Sequence, residues 1–284
     1  MIRLAQVSKT FSTGSPVLED ITLTIDRGEF VFLVGPSGSG KTTLLRLLIR
    51  QMVPTTGVIT VNDIDVVKLP NNKVPQLRKK IGVIFQDLKM LMDRTIFENI
   101  MLPLEMSNVD RKEATKKVES ILSQVGISEH MHKFPVQLSG GELQRAAIAR
   151  ALVFSPDILL ADEPTGNLDN TTSWEIVKIL QDINKSGTTV VMATHNLEIV
   201  ESLGKRKVSL ENGKIVHDNA KAGKKEETPP QEEKLTENKE ELKVEKKDPS
   251  TGSASSLQAS SGQAEEKPEH KEKKEEKGGE HAHS

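Results

Sequence analysis

Apolar and polar positions alternate along this chain in two rhythms, and each rhythm predicts a kind of element. Residues 2–7 and 18–25 repeat every second position, as half-buried antiparallel strands do, with Gly14, Ser15 and Pro16 as the turn between them. Short apolar runs over 30–34, 58–61, 81–85 and 188–193 predict further strands, and the run over 158–161 has the unbroken character of a buried parallel strand. Spacings of three and four mark helices. They occur at 42–50 through Leu44, Leu45, Leu47 and Leu48, and in a basic stretch at 73–80. Asp110 with Glu113 predicts a capping box ahead of Ala114, Val118, Ile121, Leu122 and Val125. Two more helices follow Ser139 and Asp169, the second carrying Trp174, Ile176, Val177, Leu180 and Ile183, with Trp174 expected in the core or in helix packing. Asn212-Gly213 between two short apolar runs is a hairpin signal that closes the globular part.

Composition changes the picture after His217. Residues 218–284 are mainly Lys, Glu, Ser, Gly, Gln and Pro, and cannot bury enough apolar surface to offset chain entropy. They are expected to form a disordered, solubilising Lys/Glu-rich tail, leaving a single domain at 1–217. The net charge of -2 and an aromatic content of 3% give no field or stacking surface for nucleic acid. Cysteine is absent, which excludes disulfides and thiolate metal sites. Residues 1–11 lack a basic stretch followed by an apolar core, so they are not expected to act as a secretory signal, and the apolar runs fall well short of the roughly 18 residues a membrane span needs.

Candidate chemistry centres on Gly35-Pro36-Ser37-Gly38-Ser39-Gly40-Lys41-Thr42, a phosphate-loop pattern continued by Thr43. A strand feeds this loop and a helix leaves it, so backbone N–H groups and the positive end of the helix dipole are set to face a nucleotide's phosphates, with Lys41 adding charge. The strand at 158–161 ends on two carboxylates: Asp162 is placed to hold Mg²⁺, and Glu163 to polarise a water aimed at the γ-phosphorus. Gln86 closes another strand, either as punctuation or as a group that reaches a metal or water. Leu138-Ser139-Gly140-Gly141-Glu142 is either a second anion site or an ordinary serine cap. His195 ends a later strand, so a doubly wound sheet would bring Lys41, Asp162, Glu163 and His195 to one edge. Phe11 is either core or a platform for a flat ligand.

In order and spacing these motifs resemble the ATP-binding cassette ATPases, and the Ser-Gly-Gly stretch separates that family from other phosphate-loop NTPases. The resemblance covers nearly all of 1–217. It implies an α/β fold with a mainly parallel core sheet, an antiparallel β subdomain and a helical subdomain at about 87–155. It also implies that Phe11 stacks on adenine, Lys41 contacts the β- and γ-phosphates, and Thr42 and Gln86 hold Mg²⁺. Glu163 would orient the attacking water and His195 would touch the γ-phosphate. Ser139 and Gly141 would bind the γ-phosphate held by a second copy, with Asp169 crossing the interface. ATP and Mg²⁺ are the implied cofactors, and ATP would join two chains head to tail. Two positions depart from the usual pattern, Leu143 where glutamine is common and Asn196 where aspartate is common, and activity is expected to survive both.

Within that family, Phe85-Gln86-Asp87 and especially Leu91-Met92-Asp93-Arg94-Thr95 are similar to the bacterial cell-division branch. This implies an FtsX-like integral membrane partner at the cytoplasmic face of the plasma membrane at the division site. ATP cycling there would control cell-wall hydrolysis outside, and the tail would be a candidate contact for other division proteins. A transporter ATPase for lipoprotein release or amino-acid import would carry the same catalytic residues. A DNA-repair or chromosome-organising ATPase would need a heptad insertion between the two motifs, which 43–137 lacks. A nucleotide-driven scaffold that hardly hydrolyses would be separated from these by turnover.

Overall fold

The computed structural model describes residues 1–12 and 14–220, so the tail read from composition lies, beyond Ala220, outside the described residues. The strands are β1 (Ile2–Thr10), β2 (Pro16–Ile25), β3 (Phe30–Val34), β4 (Thr56–Val61), β5 (Ile64–Asp65), β6 (Ile81–Ile84), β7 (Ile158–Asp162), β8 (Thr189–Thr194), β9 (Arg206–Glu211) and β10 (Lys214–Asp218). The helices are α1 (Lys41–Leu48), α2 (Val74–Lys79), α3 (Ile96–Glu105), α4 (Arg111–Gln124), α5 (Gly140–Leu152), α6 (Asn170–Lys185) and α7 (Leu197–Leu203). A four-stranded antiparallel sheet in the order β2-β1-β4-β5 accompanies a six-stranded sheet in the order β10-β9-β3-β8-β7-β6. The second sheet is parallel except for β10, which returns antiparallel to β9 through Asn212-Gly213. The globular chain therefore continues at least to Asp218, one residue past the boundary read from composition.

Period-two side chains divide the interior into two cores. Phe30, Phe32 and Val34 of β3 pack with α3, α4, α5 and α6, while Val31 and Leu33 pack with α1 and the four-stranded sheet. The same split holds along β7, with Leu159 and Ala161 in one core and Ile158 and Leu160 in the other. A parallel strand covered on both faces has no polar side to show, which is why these stretches are unbroken apolar runs. Trp174 is half-buried against the helical core. At about 1.5–3 kcal/mol per fully buried large side chain, this double burial holds the sheet's edge rigidly in place.

The helix starts show where local signals were complete. Asp110 caps α4 by accepting from the N–H groups of Lys112 and Glu113, but Glu113 does not complete the predicted box. Its carboxylate instead pairs with Lys117 at 2.8 Å, one turn further on. Complete boxes stand at Thr95–Glu98, which opens α3, and at Ser139–Glu142, which opens α5. Neither α3 nor α7 was anticipated from the apolar spacing.

Candidate functional site

The parallel strands end along one edge, and the loops that follow them carry the candidate chemistry. After β3 the chain needs glycine. An ideal Cβ on Gly35 would lie 2.1 Å from the Leu210 carbonyl oxygen, and Gly40 takes φ +105° as the residue before α1. No side chain caps α1, and its first turn carries no acidic residue, so its leading N–H groups have no competing side-chain acceptor. Lys41, buried to 6% exposure, directs its Nζ at the carbonyls of Gly35 and Pro36, at 2.7 and 3.0 Å. The same Nζ lies 3.9 Å from Oε1 of Glu163.

Across the sheet, the Thr42 hydroxyl donates to Oδ1 of Asp162 at 3.1 Å. Burial pushes the Asp162 carboxyl above the ordinary aspartate value, against the stabilising Thr42 hydrogen bond, and the neighbouring Glu163 charge pushes it the same way. Glu163 follows β7 with φ +50°, a left-handed backbone that is costly for a residue with a Cβ. That turn is fixed by its N–H, which donates to the Ala193 carbonyl of β8 at 2.9 Å. The result brings Oε2 of Glu163 within 2.7 Å of Nδ1 of His195. Glu163 is 13% exposed and His195 67%, so the carboxylate sits inside and the imidazole closes it from outside. Lys41, Asp162, Glu163 and His195 thus meet at one sheet edge.

Ser139 and Asp169 belong to a second cleft, whose lining does not include Lys41, Asp162, Glu163 or His195. Ser139 caps α5, its hydroxyl accepting from the Glu142 N–H while its own N–H donates to Glu142 Oε2 at 2.7 Å. This hydrogen bond from Ser139 holds the Glu142 carboxyl below its usual range, and Nε2 of His130 lies 2.9 Å from the other oxygen. Asp169 caps α6 by accepting from Thr172 N–H at 3.0 Å. Ser139, Gly140, Gly141 and Asp169 line one cleft, and an added Cβ at Gly141 would meet Thr172 Cγ2 at 2.5 Å, so glycine lets the two helix starts approach. Phe11 is 40% exposed with Lys9 Nζ 5.5 Å from its ring centre, so it is not a core residue. Gln86 is exposed two residues past β6.

Two residues that the sequence did not single out organise the segment after Gln86. Asn99 is 1% exposed and uses its amide fully: Oδ1 accepts from Leu91 N–H, and Nδ2 donates to the carbonyls of Leu91, Arg94 and Thr95. Arg150 of α5 donates to the carbonyls of Leu88 and Lys89. The only local signal was the Thr95–Glu98 box, which announces the helix on which Asn99 stands.

Fold, phosphate loop and serine-capped helix together define an ATPase of the ATP-binding cassette class. The family model described as ABC transporter matches residues 18–166. The cell division ATP-binding protein FtsE of Bacillus subtilis is 46% identical over 221 residues, covering 78% of this chain and 97% of that protein. FtsE of Mycobacterium tuberculosis is 48% identical over 219 residues, covering 77% of this chain and 95% of that protein. Among solved structures, the dimeric post-hydrolysis state of the ATP-binding cassette MJ0796 bound to ADP and Pi is 34% identical. It superposes with a TM-score of 0.72 over 78% of this chain and 100% of its own. The chain belongs to the FtsE family of ATP-hydrolysing cell-division ATP-binding proteins.

Proposed function

We propose that this chain is the ATPase subunit of an FtsEX-like complex, working as a pair of copies that close on ATP and open after hydrolysis. One observation carries the paired arrangement. Ser139, Gly141 and Asp169 line an exposed cleft, and Lys41, Asp162 and Glu163 are not among its lining residues. A γ-phosphate held by Lys41 in one copy is then gripped by Ser139 of the other, and ATP stabilises the closed pair because it binds that state best.

Each catalytic residue has a task that its position supports. The glycine loop and the uncapped start of α1 take the phosphates, Thr43 continues that first turn, and Phe11 offers its exposed ring to adenine, a contact worth about 1–3 kcal/mol for bases on aromatic side chains. Glu163 accepts a proton from the attacking water as the oxygen bonds to the γ-phosphorus and the bridge to the β-phosphate breaks. His195 braces Glu163 and touches the γ-phosphate. Thr42, Gln86 and Asp162 are oxygen ligands of the kind a hard cation prefers, and the Thr42–Asp162 contact places two of them together. When bound there, Mg²⁺ would neutralise charge on the β- and γ-phosphates.

No helix among the described residues is long and apolar enough to cross a membrane. An FtsX-like membrane protein would hold the chain at the cytoplasmic face of the division site, docking near Leu91–Thr95, where Met92 is 62% exposed. Other division proteins are candidate partners of the tail. Solubilising the membranes and identifying the protein that co-purifies with the tagged chain tests this reading. An FtsX-like protein is expected; a solute permease in its place would overturn the division assignment.

A further inference from the structure

Gln86 stands on the segment between β6 and α3, and the last turn of α5 packs against the strand before Gln86 and holds the turn after it. Before Gln86, Gly82 of β6 lies so close to α5 that an added Cβ would sit 2.5 Å from the Ala151 carbonyl oxygen and 3.1 Å from Pro156. After Gln86, Arg150 spends its two Nη groups on the carbonyls of Leu88 and Lys89. Burial of that guanidinium pushes its pKa down, a cost borne without a carboxylate partner among the salt bridges of the described residues. Lys89 takes φ +56°, so the gripped turn is also conformationally unusual. The same helix begins at Ser139, and at 1.5 Å rise per residue its two working ends are about 16 Å apart.

The geometry points to Arg150 as a positioning residue that locks the Gln86 segment to the last turn of α5, so that Gln86 and the serine cap of one copy move as a single body. Resting on the proposed roles of Gln86 and Ser139, this goes beyond them: when Ser139 engages the partner's phosphate, the displacement of α5 is delivered to Gln86 and on to Leu91–Thr95. A rigid helix transmits displacement along its axis, and charge-assisted hydrogen bonds to two successive carbonyls fix both the position and the tilt of the turn they hold.

The test uses the full chain with Arg150→Met and Arg150→Lys, read by backbone hydrogen exchange and by ATPase rate against Mg²⁺ concentration. Arg150→Met is expected to speed exchange over 87–91 by about tenfold or more while α5 keeps its protection. It should also raise the Mg²⁺ concentration for half-maximal rate by about tenfold, as a displaced ligand would. Arg150→Lys, able to reach one carbonyl but not both, should fall between, and it carries the test should the Met variant not fold. Wild-type exchange and Mg²⁺ dependence in the variants that fold would overturn the proposal, as would loosening spread evenly over α5 and the sheet. If the wild-type chain itself shows no Mg²⁺-dependent turnover, the catalytic reading fails, and the exchange measurement alone still decides whether Arg150 locks the segment.

Discussion

At the edge of the six-stranded sheet, Thr42 reaches Asp162 across 120 residues and Glu163 reaches His195 across 32. At the head of α5, by contrast, both hydrogen bonds of the capping box at Ser139 are made with Glu142, three residues away. The first region is assembled by the fold, with Lys41 and Asp162 buried, Thr42 and Glu163 half-buried and His195 exposed; the second is assembled by one helical turn and lies exposed. Their helix starts differ in the same sense. α1 has no side-chain cap, whereas α5 and α6 are capped by their own Ser139 and Asp169. A helix start left without a side-chain acceptor is preset for a ligand's anion; one satisfied by its own turn is stable alone and must share its donors when a phosphate arrives. That contrast supports the proposed assignment of chemistry to the first region and recognition between copies to the second.

The sharpest way to break that division is to touch each region once. Glu163→Gln keeps the shape and removes the base, so turnover should fall by about 10²- to 10⁴-fold while ATP binding and ATP-dependent pairing persist, measured by phosphate release and by light scattering with ATP. Loss of pairing in this variant would mean that the buried edge also makes the interface. Ser139→Ala should do the converse. ATP affinity of the single copy stays, and pairing weakens by about tenfold to a hundredfold, the range expected for losing a hydrogen bond to a charged group. Equal loss of ATP affinity in the isolated copy would place Ser139 in the first region and erase the contrast.

The same contrast governs what could be read from the residues alone. β3 and the glycine loop are legible because a doubly buried strand writes an unbroken apolar run and a tight phosphate turn writes glycine. The sheet edge was legible as a meeting place for Lys41, Asp162, Glu163 and His195, since parallel strands must all end on one side. The left-handed backbone of Glu163 was not, because nothing local demands it; it is imposed by the Ala193 carbonyl on a neighbouring strand. Asn99 and Arg150 escaped for a related reason. They serve backbone carbonyls, which carry no residue signature, and Arg150 reaches back 61 and 62 residues to do so. Asp110–Glu113 shows the reverse error: a complete sequence signal for a capping box, half of it diverted because Lys117 offered Glu113 a better-placed charge. α7 begins at Asn196, whose side chain caps Ile199 N–H, and its few apolar positions made no readable period.

The smallest expected effect is also the one in which the two regions must carry opposite signs. Asp162 is 5% exposed, and burial raises its carboxyl pKa above 3.8, the ordinary aspartate value. A carboxyl raised in the folded state favours folding below the unfolded pKa and loses that contribution as pH climbs through the folded pKa. At neutral pH its charge is therefore a stability cost carried for function, and Asp162→Asn should melt higher than wild type in nucleotide-free, Mg²⁺-free buffer, by a few degrees at most. Asp169 runs the other way. The hydrogen bonds from Thr172 hold its carboxyl below 3.8, so its contribution is present above that value and fades as pH falls through the folded pKa. Asp169→Asn keeps a side chain able to cap yet gives up the charge beside the helix start, so it should melt slightly lower than wild type at neutral pH. Both differences should shrink on acidification, one from above and one from below. Melting curves of the three proteins between about pH 2 and 8 read this directly, and two variants shifting in the same direction at neutral pH would show that burial does not separate the regions as the geometry requires.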